Sequence, residues 1–151
     1  MEHSLQFITV EQTLPLRSRV LREGRPFDQC AFAEDGQAGS FHAGAFREGQ
    51  IIGIASYYPK DLDGPTGRGF QLRGMAVVPE AQGTGVGRAI LEFGEARIRS
   101  PRLADYLWCN ARVSAIAFYE RDGWAVVSEE FLIAEVGPHR RMVKGLAELK
   151  S

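Results

Sequence analysis

The chain has 151 residues, 44% of them hydrophobic, with 18 Lys+Arg against 19 Asp+Glu for a formal net charge of −1. Such a length and composition fit one globular domain, residues 1–151, and exclude a largely disordered chain. The near-zero charge excludes general nucleic-acid binding, which needs surplus Lys and Arg to replace counterions, and attachment to an acidic membrane surface. Glycine is in excess, at 17 residues or about 11% against a norm of roughly 7%. Seven of the 17 fall between Gly64 and Gly87, which points to a site rather than to many loops.

In chain order, Phe7-Ile8-Thr9-Val10 is a short β-prone run. Leu14, Val20 and Leu21 space as one face of a short helix over 14–22, with Pro15 tolerated in its first turn. Arg25-Pro26 closes that element, and residues 27–39, with Asp28, Asp35, Gly36 and Gly39, read as a long loop. Strands over 40–47 and 51–58 flank Glu48-Gly49-Gln50, a hairpin signal. After a Pro- and Gly-rich loop over 59–69, residues 71–78 form a strong strand ended by Pro79. Ile90, Leu91, Gly94 and Ile98 give 85–99 the apolar face of a helix packed on a sheet, stopped by Pro101. A buried strand over 106–110, a helix over 113–121 stopped by Gly123, and strands near 128–135 and 139–146 complete the chain. The class is mixed α and β.

The first residues, Met1-Glu2-His3-Ser4-Leu5-Gln6, lack the basic flank and apolar core of a signal peptide. No stretch approaches the roughly 20 apolar residues that span a bilayer, so the expected location is the cytoplasm. Cys30 and Cys109 are isolated and have no His at metal-ligand spacing. They are expected to be free thiols, with Cys109 as core filler and no metal bound.

The informative segment joins the strand ending Met75-Ala76-Val77 to the helix through Gln82-Gly83-Thr84-Gly85-Val86-Gly87-Arg88. Absent side chains let backbone N–H groups converge on a ligand, and the helix adds its unpaired N–H groups and the positive end of its dipole. This is a cradle for phosphate or pyrophosphate, or else a glycine turn that binds nothing. A P-loop would need Gly-Lys-Ser/Thr where Gly87-Arg88-Ala89 stands. A dinucleotide fingerprint would need G-x-G-x-x-G after the first strand of a βαβ unit, and neither pattern is met.

The segment resembles the phosphate motif Gln/Arg-x-x-Gly-x-Gly/Ala of the GNAT superfamily of acetyl-coenzyme A-dependent N-acetyltransferases. The family's second signature is matched by Asn110-Ala111-Arg112, Ala115, Phe118-Tyr119 and Gly123-Trp124, in the right order and at the right separation. The flavour is that of its small bacterial ElaA/YjcF-type branch, in Gln71-Leu72-Arg73-Gly74, Trp108-Cys109-Asn110 and Gly137-Pro138-His139, so the resemblance covers most of the chain. It implies the GNAT α+β fold, a mostly antiparallel sheet splayed into a V and flanked by helices. It further implies that Met75, Ala76 and Val77 offer backbone groups to pantetheine, and that Gln82, Gly83, Thr84, Gly85, Val86, Gly87 and Arg88 hold the pyrophosphate. Asn110 and Phe118 line the cofactor under the same resemblance, and a homodimer is compatible with it.

Acetyl transfer to an amine requires a neutral amine, a stabilised oxyanion and a protonated leaving thiolate. A backbone N–H at the end of strand 71–78 serves the oxyanion, and Tyr119, protonated at pH 7, is the candidate acid for the thiolate. Some branches carry a Glu base where Gln71 stands, and Gln71 cannot accept a proton. The base is then a water relayed by backbone carbonyls and Asn110, or else His139 or His42. His139 has a surface-turn histidine as its bland reading; for His42 a satisfied structural histidine is the favoured one. Gln71, Arg73 and Met75 alternate on one strand face, which makes Gln71 and Arg73 candidate substrate contacts, with Arg22 or Arg25 as further anion binders. Arg17, Arg19 and Arg22 equally read as a solvated helix face, while Asp28, Asp35 and Asp61 are loop acids able to meet a cationic amine. The expected reaction is N-acetyl transfer to a small-molecule or protein amine. The competing readings are a non-catalytic acyl-CoA-binding module and a structural domain that binds no nucleotide.

Overall fold

The structure, a computed structural model, describes residues 3–146. Contacts gather into two compact units, one formed by the chain up to Tyr58 with Leu72–Pro101, the other by Pro59–Gln71 and the chain from Arg102 onward.

In the first unit, β1 (Ser4–Ile8) pairs antiparallel with β2 (Phe41–Arg47), and β2 with β3 (Gln50–Pro59). Beyond β3 comes β4 (Gly69–Val77), which belongs to this unit from Leu72 on. The β2–β3 connection is a two-residue turn, Glu48 (φ 52°) and Gly49 (φ 77°), both left-handed as a type I′ hairpin requires.

Helix α1 (Val10–Leu16) starts four residues before the expected position. Thr9 caps it reciprocally: its Oγ1 accepts from the Gln12 amide at 3.2 Å, while Gln12 Oε1 accepts from the Thr9 amide at 2.9 Å. That capping box ends the first strand at Ile8 and makes Val10 helical, correcting the β-prone reading of 7–10. Pro15 therefore lies inside the helix rather than in its first turn, where it removes one N–H from the ladder. The backbone then widens into a π-helical stretch, Arg17–Leu21. Two short 3₁₀ turns, Phe27–Gln29 and Ala33–Gly36, give the expected loop its shape.

Helix α2 (Val86–Arg99) turns Val86, Ile90, Leu91, Gly94 and Ile98 inward, as their spacing predicts. Its approach to the sheet is set by two glycines: a Cβ at Gly53 would stand 2.6 Å from Ile90 Cδ1, and one at Gly94 would overlap the ring of buried Tyr57. Alanine is the better helix former by about 1 kcal/mol, yet Gly94→Ala is expected to lower stability by about 1–3 kcal/mol, because an overpacked core has to shift backbone or ring. A urea midpoint equal to the wild type's would show that the Tyr57 ring can yield.

In the second unit the first residues of β4 pair in parallel with β5 (Tyr106–Arg112), in the register Gly69↔Tyr106, Phe70↔Leu107 and Gln71↔Trp108. β8 (Gly137–Gly145) runs antiparallel to β5 on one side and to the short β6 (Ala125–Val126) on the other, and it also carries β7 (Phe131–Ile133). The predicted helix over 113–121 divides into a 3₁₀ turn, Val113–Ala115, and α3 (Ile116–Arg121). The strand expected near 128–135 contracts to β7, β5 runs two residues longer than expected, and β6 was not foreseen. The parallel β4–β5 pairing beside the antiparallel pairings of β1–β2, β2–β3 and β8, with helices between, is the mixed α+β class that was expected.

Candidate functional site

The glycine turn follows β4 through buried Val78 and a 3₁₀ turn, Pro79–Ala81. Gly83 (φ 78°) and Gly85 (φ 88°) are both left-handed, and a Cβ on either would meet nothing within 4 Å. Glycine is thus required by backbone conformation, and the space beside both positions is open. Gly87 differs: it is buried in the first turn of α2 and serves packing. The loop is tied from within, by Gln82 Nε2 donating to the Val77 carbonyl at 3.0 Å and Thr84 Oγ1 donating to the Ala81 carbonyl at 2.5 Å. α2 has Gly85 as its N-cap and no side-chain cap; its first internal bond is the Ala89 amide to the Gly85 carbonyl, 3.0 Å. Arg88 is exposed and spans 3.1 Å to Glu92, an i,i+4 pair of little worth in water.

Within β4, Gly74 takes φ 64°. A left-handed residue interrupts the pleat, so the alternation expected to place Gln71, Arg73 and Met75 on one face breaks between Arg73 and Met75. Arg73 is already engaged, its Nη1 2.6 Å from Glu34 Oε1 and its guanidinium 4.1 Å over the Phe32 ring. Gln71 is 5% exposed, and its Oε1 has no hydrogen-bond partner among the described residues.

Behind Gly74 lies a network that sequence reasoning missed. Arg17, read as solvated, is fully buried. Its Nη1 donates to Asp35 Oδ2 (2.8 Å) and the Cys30 carbonyl (3.2 Å); its Nη2 donates to Asp35 Oδ1 (3.0 Å), Ser56 Oγ (2.9 Å) and Tyr58 OH (3.2 Å). Tyr58 OH and the Phe32 amide also donate to Asp35, at 2.5 and 2.8 Å. Burial would raise the Asp35 carboxyl, but these donors outweigh it and hold it at about 2. Burial, reinforced by the Asp35 bond, pushes the Tyr58 phenol up. His42, bonded through Nδ1 to Ser56 Oγ at 2.7 Å, is pushed down by burial and is the satisfied structural histidine expected of it. Asp35 is therefore the anchor of the 27–39 segment, not a free acid awaiting an amine, and Asp61 is likewise taken up by the Gly69 amide at 2.8 Å. The signal available in the sequence was Thr9-x-x-Gln12, which sets the true start of α1 and with it the face that Arg17 occupies.

In the second unit, Asn110 lies opposite Arg141, whose Nε donates to Asn110 Oδ1 at 3.2 Å. The amide is thereby oriented with its NH₂ turned away from that bond. His139 is 4% exposed, which rules out the surface-turn reading. Its Nδ1 donates to the Gly137 carbonyl at 2.8 Å, which in the neutral imidazole leaves the lone pair on Nε2. Tyr119 is buried between Phe118 and Trp124, with centroids at 5.1 and 5.4 Å, and Phe118 is half-buried. Burial pushes the Cys109 thiol up, consistent with packing rather than reactivity.

The acetyltransferase (GNAT) family model matches residues 7–124, a stretch that runs through both units. The uncharacterized N-acetyltransferase YitI of Bacillus subtilis (strain 168) is 34% identical over 140 residues, 92% of this chain and 93% of that protein. Among solved structures, Escherichia coli ElaA superposes with a TM-score of 0.77 at 17% identity, over 95% of this chain and 99% of that one. An aminoglycoside 6′-N-acetyltransferase complexed with coenzyme A gives 0.76 at 14%, over 98% and 99%. The E. coli ribosomal-protein-S18-alanine N-acetyltransferase gives 0.73 at 17%, over 99% and 97%. The structural likenesses define the class, the GNAT acyltransferase fold. The family match and the 34% relative place the chain itself: it belongs to the GNAT family of acetyl-coenzyme A-dependent acetyltransferases and is an enzyme of that kind.

Proposed function

We propose that the enzyme transfers an acetyl group from acetyl-coenzyme A to a primary amine, on a small molecule or a protein, by direct attack in a ternary complex. The observation that carries this reading is the open, left-handed Gly83–Gly85 turn leading into the uncapped N-terminus of α2, in a chain of this family. The bound co-substrate supplies an activated acetyl thioester. Backbone amides of 82–88 take its pyrophosphate, and exposed Arg88 exchanges Glu92 for a phosphate oxygen at little cost. Backbone groups of Met75, Ala76 and Val77 take the pantetheine arm, and the resemblance to the family assigns Asn110 and Phe118 to the same co-substrate. Tyr119 OH gives its proton to the departing sulfur.

For the base, Gln71 is excluded by chemistry. In its neutral form His139 offers a lone pair on Nε2, and a water relayed past Asn110 is the other route. No helix among the described residues is long and apolar enough to cross a membrane, and two buried free cysteines suit a reducing cytoplasm.

Coenzyme A at saturation is expected to raise the melting temperature, and thiol release across an amine panel separates turnover from binding alone. Tyr119→Phe is expected to lower kcat by at least about 100-fold with coenzyme A affinity unchanged. Equal turnover in variant and wild type removes Tyr119 from the mechanism.

A further inference from the structure

We propose that the acceptor is a primary amine that also bears a carboxylate, and that Arg141 binds the carboxylate while Gln71 accepts from the amine. The proposal rests on the acetyl-transfer reading above for its role, but its observations are separate.

Register and the two-residue period of a strand put Gln71, Trp108, Asn110 and Arg141 on one face, because Gln71 pairs with Trp108, Asn110 lies two residues on, and Asn110 pairs with Arg141. Two groups on that face lack the partners their chemistry demands. Gln71 Oε1 is buried without a donor, and a buried acceptor left unsatisfied costs about 1–3 kcal/mol. Arg141 is a half-buried cation with no carboxylate beside it among the described residues, whereas Arg17, Arg73 and Lys144 are each paired with an acid.

Arg141 is nevertheless held in place. Its amide donates to Ser128 Oγ at 2.8 Å, its Nε to Asn110 Oδ1, and its guanidinium lies 5.1 Å over the Trp108 ring and 6.0 Å over Phe131. With rings against its faces and Nε in use, the guanidinium presents its two terminal nitrogens edge-on. That fork matches a planar carboxylate, which it bonds through two parallel N–H···O contacts. An amine N–H is the donor that Gln71 Oε1 lacks. Strand spacing of about 4.8 Å and a rise of about 3.3 Å per residue put the Gln71 and Arg141 Cα atoms roughly 12 Å apart. The two groups of the acceptor are accordingly separated by several bonds, as in an ω-amino acid.

The test uses glycine, 4-aminobutyrate and 6-aminohexanoate, each beside its methyl ester, titrated calorimetrically into the coenzyme A-saturated protein and assayed with acetyl-coenzyme A. The longer acids are expected to bind at least about 10-fold tighter than their esters, in line with a charge-assisted bond, and tighter than glycine. Arg141→Gln is expected to erase that preference with the ester still bound; Arg141→Lys, which keeps the charge, is expected to retain part of it. Equal binding of acid and ester by the wild type overturns the proposal, as does an equal fall for both in Arg141→Gln. Acetyl transfer without an acid preference defeats this inference alone; selective binding of the acid without transfer defeats the catalytic reading and leaves this one standing.

Discussion

Replacing Arg17 with methionine is expected to lower folding stability by about 3–5 kcal/mol, the usual consequence of stranding one member of a buried ion pair. Arg17 donates to Asp35, Ser56, Tyr58 and the Cys30 carbonyl at once. Methionine fills the volume but leaves a carboxylate with only the Tyr58 and Phe32 donors, and the 27–39 segment loses its tie to the sheet. A double variant, Arg17→Met with Asp35→Leu, is expected to recover part of the loss, because removing both charges also removes the desolvation cost. Urea midpoints of the two variants and the wild type provide the measurement; a single variant as stable as the wild type contradicts the network's role. The same network sets an acid limit. The folded-state Asp35 carboxyl sits at about 2 against an ordinary 3.8, so its contribution is complete above the ordinary value and is lost as pH falls through the folded one. The stability gap between wild type and Asp35→Asn is therefore expected to stay constant at neutral pH and to close between about pH 4 and pH 2.

What was legible in the sequence was local. The glycine turn, the α2 face and the Glu48-Gly49 hairpin each depend on residues a few positions apart, so period and turn chemistry suffice to find them. What was hidden depends on distant partners or on a backbone irregularity. Arg17 bonds residues 13 to 41 positions away, and its inward direction follows from a capping box followed by a π-helical stretch, which no regular helical period anticipates. Gly74 reads as one more glycine in a strand until its left-handed φ breaks the alternation on which the Gln71–Arg73–Met75 face was built. Arg141 lies in a terminal strand with no motif of its own; only the register Asn110↔Arg141 shows that it holds the amide of a signature residue. The motif residues are thus visible as pattern, while the groups that contact them require the fold.

Gly85→Glu is expected to lower coenzyme A affinity by at least about 100-fold while leaving a folded protein. A Cβ at this position meets nothing within 4 Å, so the new side chain finds room and the core is untouched. The same open space is where the proposed pyrophosphate lies. A carboxylate about 5 Å from a phosphate charge costs about 3 kcal/mol at an effective dielectric constant of about 20, which is about two decades of affinity. The substitution also forces a non-glycine residue to φ 88°, a strain on the order of 1–3 kcal/mol that would lower stability whatever the ligand does. Gly85→Asn separates the two effects, since asparagine tolerates the left-handed region and brings no charge. The asparagine variant is expected to bind coenzyme A far better than the glutamate variant, with a melting temperature near the wild type's. Loss of affinity that tracks melting temperature across the two variants would mean that only the fold had been damaged, and unchanged affinity in Gly85→Glu would falsify the phosphate cradle itself.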